Sequence, residues 1–183
     1  MKKMWIFGDS FASDATNKSW TNLISKDLEV LNLSKNGISE YRIYRMYRDV
    51  REQIQPDDII IFCHTNPNRV YIPNSTDYPT RNKNSHPECD LVLGDVNRHG
   101  IVWRFISYIF MKYFYDENYY KDLFDLMIAD MNRINCKVIH VSGFESTFPI
   151  ISFNDIFINY RGNINHLNEE GNVLVSERIS KLL

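Results

Sequence analysis

The sequence predicts an α/β protein, a three-layer α/β/α sandwich with a central parallel sheet. Short apolar runs, typical of buried strands, alternate with segments that repeat apolar residues at helical spacing. The length of 183 residues fits one domain, residues 1–183, with a core of useful size. A hydrophobic content of 44% and a charged content of 24% are typical of an ordinary globular protein.

Four apolar runs predict strands, and a fifth, weaker run follows them. The four lie at Met4–Phe7, Val30–Leu33, Asp58–Cys63 and Lys137–Val141, and the weaker one at Asp155–Ile158. Because helical patterns lie between these runs, the connections are βαβ units, which produce a parallel sheet covered on both faces.

Four helices are predicted from apolar residues that recur three or four positions apart. The predicted apolar faces are Trp20, Leu23, Ile24 and Leu28; Ile43, Met46, Tyr47, Val50 and Ile54; Leu123, Leu126, Met127, Met131 and Ile134; and Leu174, Val175, Ile179 and Leu182. Asn168 is the predicted N-cap of the last helix, and the acidic pair Glu169–Glu170 complements its dipole. The segment from Trp103 to Tyr120 predicts a further, aromatic-rich helix.

Residues 67–102 are predicted to be an insertion, because the alternation of strands and helices stops there. Four prolines, at positions 67, 73, 79 and 87, interrupt this stretch. A loop of this length in a compact domain is usually either functional or disordered. Since it begins directly after Asn66, at the end of a predicted strand, we interpret it as a lid or a substrate-selecting segment. A disordered surface excursion is an equal alternative.

Charge, cysteine content and hydropathy exclude several classes of protein. The net charge of −2 gives no electrostatic footprint for nucleic acid, and three cysteines do not form a disulfide framework. The apolar run Met4–Phe7 is too short for a signal peptide. The longer apolar segment around Ile101–Phe114 is broken by Arg104 and Lys112, so no membrane span is expected. We therefore expect a cytoplasmic protein, of an oligomeric state that the sequence does not indicate.

The segment Gly8–Phe11, with the sequence GDSF, directly follows the apolar run Trp5–Phe7 and predicts a tight turn at the end of a strand. In open parallel sheets, ligands bind at the carboxyl-terminal end of the strands. A serine placed there, Ser10, can attack an acyl group while its own backbone N–H helps to hold the oxyanion. Glycine, aspartate and serine are also ordinary turn residues, so this segment alone is a weak signal.

Three further segments strengthen that signal, because with Ser10 they resemble the four signature blocks of the SGNH (GDSL-type) hydrolase family. The four residues are Ser10, Gly37, Asn66 and His166. A strand-like segment, Val30 to Asn32, precedes the glycine, and a proline-led apolar strand precedes the asparagine, as in the family. The resemblance runs from residue 4 to the last helix, interrupted by the insertion.

The resemblance implies a serine hydrolase that cleaves a carboxylic ester, of esterase, acetylesterase (deacetylase) or lipase-like type. In this chain Ser10 would be the nucleophile and His166 the general base. The oxyanion hole would consist of the backbone N–H groups of Ser10 and Gly37 and the side-chain amide of Asn66. The resemblance implies no cofactor and no metal, and a small-molecule or carbohydrate ester as substrate.

One position departs from the family pattern. Where the family has an aspartate three residues before the histidine, this chain has Asn163, which can accept a hydrogen bond from the imidazole but carries no charge. Three interpretations stay open: a Ser–His dyad, a different carboxylate such as Asp155, or a catalytically weakened module that binds a carbohydrate or lipid. Asp9 is expected to stabilise the turn rather than to act as the acid.

The sequence argues against two other kinds of site, a metal site and a nucleotide site. A metal site would have to use His64, His86, Cys89 and His99, whose spacing matches no ligand pattern. A flavodoxin-like nucleotide site would need a glycine-rich phosphate loop, and the turn GDSFAS lacks its glycines. Neither is expected.

Overall fold

The computed structural model describes residues 2–13, 18–24, 28–65, 69–71, 90–92, 101–143, 150–162 and 166–183. In these ranges the strands are β1 Lys3–Gly8, β2 Glu29–Asn32, β3 Ile59–His64, β4 Arg69–Val70, β5 Leu91–Val92, β6 Lys137–Ser142 and β7 Ile151–Ser152. The helices are α1 Trp20–Leu23, α2 Glu40–Val50, α3 Ile101–Tyr113, α4 Glu117–Met131, α5 Asn154–Asn159 and α6 Glu169–Ser180, and a 3-10 turn, Arg51–Gln53, follows α2.

Five of these strands form one parallel sheet in the order β2-β1-β3-β6-β7. In its centre Trp5 of β1 pairs with Leu31 of β2 on one side and with Ile60 of β3 on the other. The two remaining strands, β4 and β5, form a separate antiparallel pair. The carboxyl-terminal ends of β1, β2, β3 and β6 therefore lie along one edge of the sheet.

Two apolar clusters cover the two faces of this sheet. Met4 and Ile6 of β1 pack with α1, α5 and α6, whereas the alternate residues Trp5 and Phe7 pack with α2 and α4. Because both faces are covered, the central strands are mostly apolar instead of alternating regularly with polar residues, and β3 has the apolar run Ile59–Cys63. The predicted three-layer α/β/α sandwich with a central parallel sheet is confirmed.

Three of the predicted helices are confirmed and pack on the sheet, although Leu126 of the predicted α4 face is 69% exposed. Tyr47 of α2, Met131 of α4 and Ile179 of α6 are all buried. Asn168 is the N-cap of α6, as predicted, and its side-chain oxygen accepts a hydrogen bond from the Gly171 N–H at 2.8 Å. The first helix is shorter than predicted, because Ile24 already has extended backbone angles.

The weak strand predicted at Asp155–Ile158 is wrong, because these residues belong to α5. The fifth strand is the preceding pair Ile151–Ser152, which adds to β6. Isoleucines favour strands, but tertiary packing overrides that preference here. Ile156 and Phe157 are buried on one face of a helical turn, while Ile158 is 65% exposed.

The aromatic segment between Trp103 and Tyr120 contains two helices rather than one. The first, α3, ends at Tyr113, and Asp116 then caps α4 by accepting hydrogen bonds from the N–H groups of Asn118 and Tyr119. In the described ranges no helix has both the length and the apolar character needed to cross a bilayer.

Candidate functional site

The turn after β1 places Ser10 at the carboxyl-terminal edge of the sheet. The carbonyl oxygen of Asp9 accepts hydrogen bonds from the N–H groups of Ala12 and Ser13, both at 3.1 Å, so the chain reverses directly after the strand. Gly8 lies so close to β3 that an added Cβ would be 2.7 Å from the Cβ of Cys63. The close approach of β1 and β3 therefore requires glycine immediately before the turn.

Asp9 is buried, and its carboxylate holds the turn. Its Oδ1 accepts the Phe11 N–H at 2.9 Å, and its Oδ2 accepts the Thr65 hydroxyl at 2.7 Å. The guanidinium of Arg69 on β4 lies 3.5 Å from the same Oδ2. Asp9 therefore ties the Ser10 turn to the end of β3 and to β4, which is the stabilising role expected of it.

The loop between β2 and α2 brings Gly37 to the same edge. The Lys35 N–H donates to the Gly8 carbonyl at 3.0 Å, so this loop lies beside the end of β1. Gly37 has a φ of 73°, in the left-handed region that side chains other than glycine's enter at a cost of about 1–2 kcal/mol. Its carbonyl accepts the Asp90 N–H at 2.8 Å, which fixes the peptide plane after it.

The described part of the predicted insertion, β4 and Asp90 with β5, forms a stem. This stem is bound to the Ser10 turn and to the Gly37 loop. The Asp90 carboxylate, whose side chain is fully buried, accepts the Ser39 N–H at 2.7 Å. It also accepts two hydrogen bonds from the Arg42 guanidinium, at 2.8 and 3.1 Å. Because β4 carries Arg69 and β5 follows Asp90, one strand of the stem is bound to the Ser10 turn and the other to the Gly37 loop. The boundaries 67–102 of the insertion stay a prediction.

His166 lies in the loop between α5 and α6, and its side chain is half-buried. Two antiparallel hydrogen bonds hold this loop: the Gly162 N–H donates to the His166 carbonyl at 2.6 Å, and the Asn168 N–H donates to the Tyr160 carbonyl at 2.8 Å. Asn163 is outside the described residues, so its relation to His166 stays a prediction.

The start of α6, just after His166, lies near the Ser10 turn. The indole of Trp20 donates to the Phe11 carbonyl at 2.7 Å, and the Trp20 backbone N–H donates to the Asn172 side-chain oxygen at 2.9 Å. Trp20 thus links the residue after Ser10 to the first turn of α6. The segments with Ser10, Gly37 and His166 share one edge of the fold, while Asn66, the fourth predicted residue, is outside the described residues.

In the described residues Asp155 is paired with Arg178, so no contact supports the hypothesis that it serves His166, which stays a prediction. Both carboxylate oxygens of Asp155 accept hydrogen bonds from the Arg178 guanidinium, at 3.0 and 2.9 Å, and this bonding lowers the pKa of the carboxyl. Arg178 lies in the last turn of α6, nine residues after Glu169 and therefore about 14 Å along the helix. The two side chains line a cleft of about 300 Å³ between α5 and the end of α6.

Sequence reasoning missed a partly buried chain of polar side chains below this edge, in which His64 is buried and Asn132 is exposed. His64 Nδ1 lies 3.0 Å from a Glu40 carboxylate oxygen, and its Nε2 lies 2.8 Å from His140 Nδ1. His140 Nε2 in turn lies 3.1 Å from the Asn132 side-chain oxygen. Burial, with a smaller effect of His64, lowers the pKa of His140 to about 3. The available signal was a histidine in each of two otherwise apolar strands.

Comparison with known proteins does not assign this chain to a family. No family model matches the chain, and no curated protein matches it. Among solved structures, the chain is similar to the crystal structure of the lipase/acylhydrolase from Enterococcus faecalis, with a TM-score of 0.39 and 11% identity. That match covers 100% of this chain and 95% of the other. At this TM-score the similarity carries no argument about activity, which has to come from the residues.

Proposed function

We propose that this chain is a serine hydrolase of the SGNH (GDSL) type that cleaves a carboxylic ester. One observation carries the proposal. In the described part of the chain, the backbone N–H groups of Ser10 and Gly37 have no intramolecular acceptor, whereas the N–H groups of Phe11 and Lys35 are bonded. Two free donors on adjacent loops, one belonging to a serine at a strand end, fit an oxyanion hole.

The proposed reaction has two steps, with Ser10 as nucleophile and His166 as base. Ser10 Oγ attacks the acyl carbon while His166 takes its proton, and the negative charge collects on the former carbonyl oxygen. Hydrogen bonds from the two N–H groups and from the Asn66 amide stabilise that oxygen. The carbon–oxygen bond to the alcohol then breaks, and His166 returns the proton to the alcohol. Water, activated by the same base, releases the acid from Ser10.

Labelling with a fluorophosphonate, followed by peptide mapping, tests the nucleophile. We expect phosphonylation of Ser10 in the wild type and a much slower reaction in His166→Ala, because the base that activates the hydroxyl is gone. Ser13→Ala is the matched control, since its hydroxyl lies in the same turn, 3.3 Å from the Ser10 carbonyl oxygen, and donates to the Asn36 side-chain oxygen. That variant should label like the wild type.

Two results would contradict the assignment of Ser10. One is a label mapped to another residue, and the other is equal labelling of Ser10→Ala. If no label forms and no ester in a series is hydrolysed, while a carbohydrate or lipid binds, the alternative of a binding module on this fold is supported instead.

Asn163 is proposed to orient His166 without contributing charge. Asn163→Asp should then raise kcat, because a carboxylate stabilises the imidazolium that forms in the transition state. The gain is bounded by the roughly 10,000-fold loss seen when a triad aspartate becomes asparagine. Asp155→Asn is the comparison variant and should leave kcat unchanged, because its partner is Arg178. Steady-state kinetics of both variants on one ester test this proposal. Inactivation by Asp155→Asn would contradict the assignment of Asn163 as the residue that orients His166.

The insertion, residues 67–102, is proposed to select the substrate. Its described stem is bound to the Ser10 turn through Arg69 and to the Gly37 loop through Asp90, which supports a place beside the reacting ester. The acyl and alcohol groups remain to be identified, with an acetyl ester of a sugar as the first choice. The values of kcat/KM for esters of different acyl-chain length measure this role.

A further inference from the structure

Thr65 connects the partly buried polar chain to the proposed catalytic turn. It follows β3 directly and is 4% exposed. Its hydroxyl donates to the Asp9 Oδ2 at 2.7 Å, and its backbone N–H donates to the Glu40 Oε1. Asp9 precedes Ser10 in sequence, and Thr65 precedes Asn66. One residue thus binds both the turn of the proposed nucleophile and the first residue of α2.

The packed ring of His64 fixes the position of the Glu40 carboxylate. Its ring is 2% exposed, and it stacks on the ring of His140 with 5.1 Å between centroids. The ring of Phe124, from α4, meets it edge-on at 5.2 Å. A ring packed on two sides has little freedom to turn, so the Glu40 oxygen that faces it is fixed as well.

The hydrogen bonds assign the protons along this chain. His140 is neutral at pH 7, since its pKa is about 3, and its Nε2 carries the hydrogen that faces the Asn132 oxygen. Its Nδ1 is therefore an acceptor, and His64 Nε2 donates to it. One proton remains between His64 Nδ1 and Glu40. The two side chains together have no net charge, either as imidazolium and carboxylate or as neutral imidazole and carboxylic acid.

We propose that Glu40 is a positioning residue for the hydrolysis proposed above. By accepting the Thr65 N–H with one oxygen and bonding His64 with the other, it sets the end of β3 relative to the start of α2. Glu40 lies three residues after Gly37 and Thr65 one residue before Asn66, so the two loops with the proposed oxyanion donors meet at this carboxylate. The inference rests on the proposed function.

Asp58 provides a matched control at the opposite end of the same strand. Its carboxylate is buried and accepts three hydrogen bonds, from the Lys3 N–H at 2.9 Å, the Trp5 indole at 2.9 Å and the Gln55 N–H at 3.0 Å. Burial by itself raises the pKa of Asp58, but these bonds lower it overall. Asp58 lies at the edge of the sheet away from Ser10, so its loss should affect stability without affecting catalysis.

The test compares Glu40→Ala, Glu40→Gln and Asp58→Ala with the wild type. The kcat and KM for p-nitrophenyl acetate are measured well below the lowest Tm of the set. We expect Glu40→Ala to lower kcat by up to about 100-fold with KM little changed, because displacement of the donors weakens transition-state binding. Asp58→Ala should lower Tm and keep the wild-type kcat.

Glu40→Gln should keep most of kcat, because every hydrogen bond survives. The glutamine oxygen accepts the Thr65 N–H, and its amide donates to a neutral His64 that still donates to His140. In ¹⁵N spectra of the histidine rings, a wild-type ion pair shows two protonated nitrogens on His64, and Glu40→Gln shows one. If Glu40→Ala does not fold, Glu40→Asp, which withdraws the carboxylate by one methylene, takes its place with a smaller expected loss.

Each alternative result has a distinct meaning. Wild-type kcat in Glu40→Ala, or in Glu40→Asp if that variant is used, overturns the positioning role while the proposed hydrolysis stands. A loss in Glu40→Gln as large as that in Glu40→Ala overturns it too, since charge rather than hydrogen bonding would then matter. If Asp58→Ala loses kcat as Glu40→Ala does, the effect is general destabilisation. Inactive wild-type protein overturns the proposed function itself.

Discussion

Ser10→Ala should reduce kcat for p-nitrophenyl acetate by about 1,000-fold or more, the largest effect expected of any substitution in this chain. Without the hydroxyl no acyl-enzyme can form, and only the weaker contributions of binding and the oxyanion donors remain. Steady-state kinetics of purified wild-type and variant protein measure the loss, with ester hydrolysis in buffer subtracted.

The fold should tolerate this substitution, which makes the result interpretable. Within the described residues the Ser10 side chain makes no hydrogen bond, and the turn is held by Asp9 instead. The Tm of Ser10→Ala should therefore equal that of the wild type. Ser13→Ala, with a hydroxyl removed from the same turn, should keep wild-type turnover. Equal turnover by Ser10→Ala and the wild type would remove the nucleophile assignment.

Asn66→Ala should lower kcat by about 100- to 1,000-fold, equivalent to about 2.7–4 kcal/mol of transition-state stabilisation. The proposed amide donor meets the developing oxyanion, not the ground-state ester, so KM should change little. Separate measurement of kcat and KM on a soluble acetate ester tests this.

Asn159→Ala is the matched control for Asn66→Ala. This asparagine is exposed on α5, where its amide donates to the Asp155 carbonyl at 2.8 Å, so its loss should change neither constant. A rise in KM alone in Asn66→Ala would make Asn66 a substrate-binding residue, and an unchanged kcat would exclude it from the oxyanion hole.

The sheet could be predicted from the sequence because its strands are buried on both faces. An apolar run such as Ile59–Phe62, uninterrupted by polar residues, has few alternatives to a central parallel strand. Short elements at the rim could not be predicted as well. In α5 two buried residues, Ile156 and Phe157, are too few to reveal a helical period, and tertiary packing, of Ile156 in the core cluster and of Phe157 against Phe11, decides the structure.

The candidate site also has features that could be predicted from the sequence and features that could not. The loop positions of Ser10, Gly37 and His166 could be predicted because the turn residues around them stand out in sequence, while their roles stay predictions. The contacts that hold those loops were not predictable. Asp90 binds Arg42, and Glu40 binds His64, across 48 and 24 residues of sequence. Such pairs depend on which loops meet at one edge, and that follows from the strand order rather than from any local pattern.

The strand order also determines how much extra chain the fold can accept beside its proposed site. Strands β3 and β6 are direct neighbours, yet roughly 70 residues separate them, about half of which belong to the predicted insertion. The entropy of closing such a loop grows only with the logarithm of its length, so halving the connection saves about 0.6 kcal/mol. Folding stability therefore places almost no limit on the length of this segment. Mutation can rebuild the part of the insertion between Arg69 and Asp90, which hold the Ser10 turn and the Gly37 loop, and a new specificity can evolve without any change in the sheet.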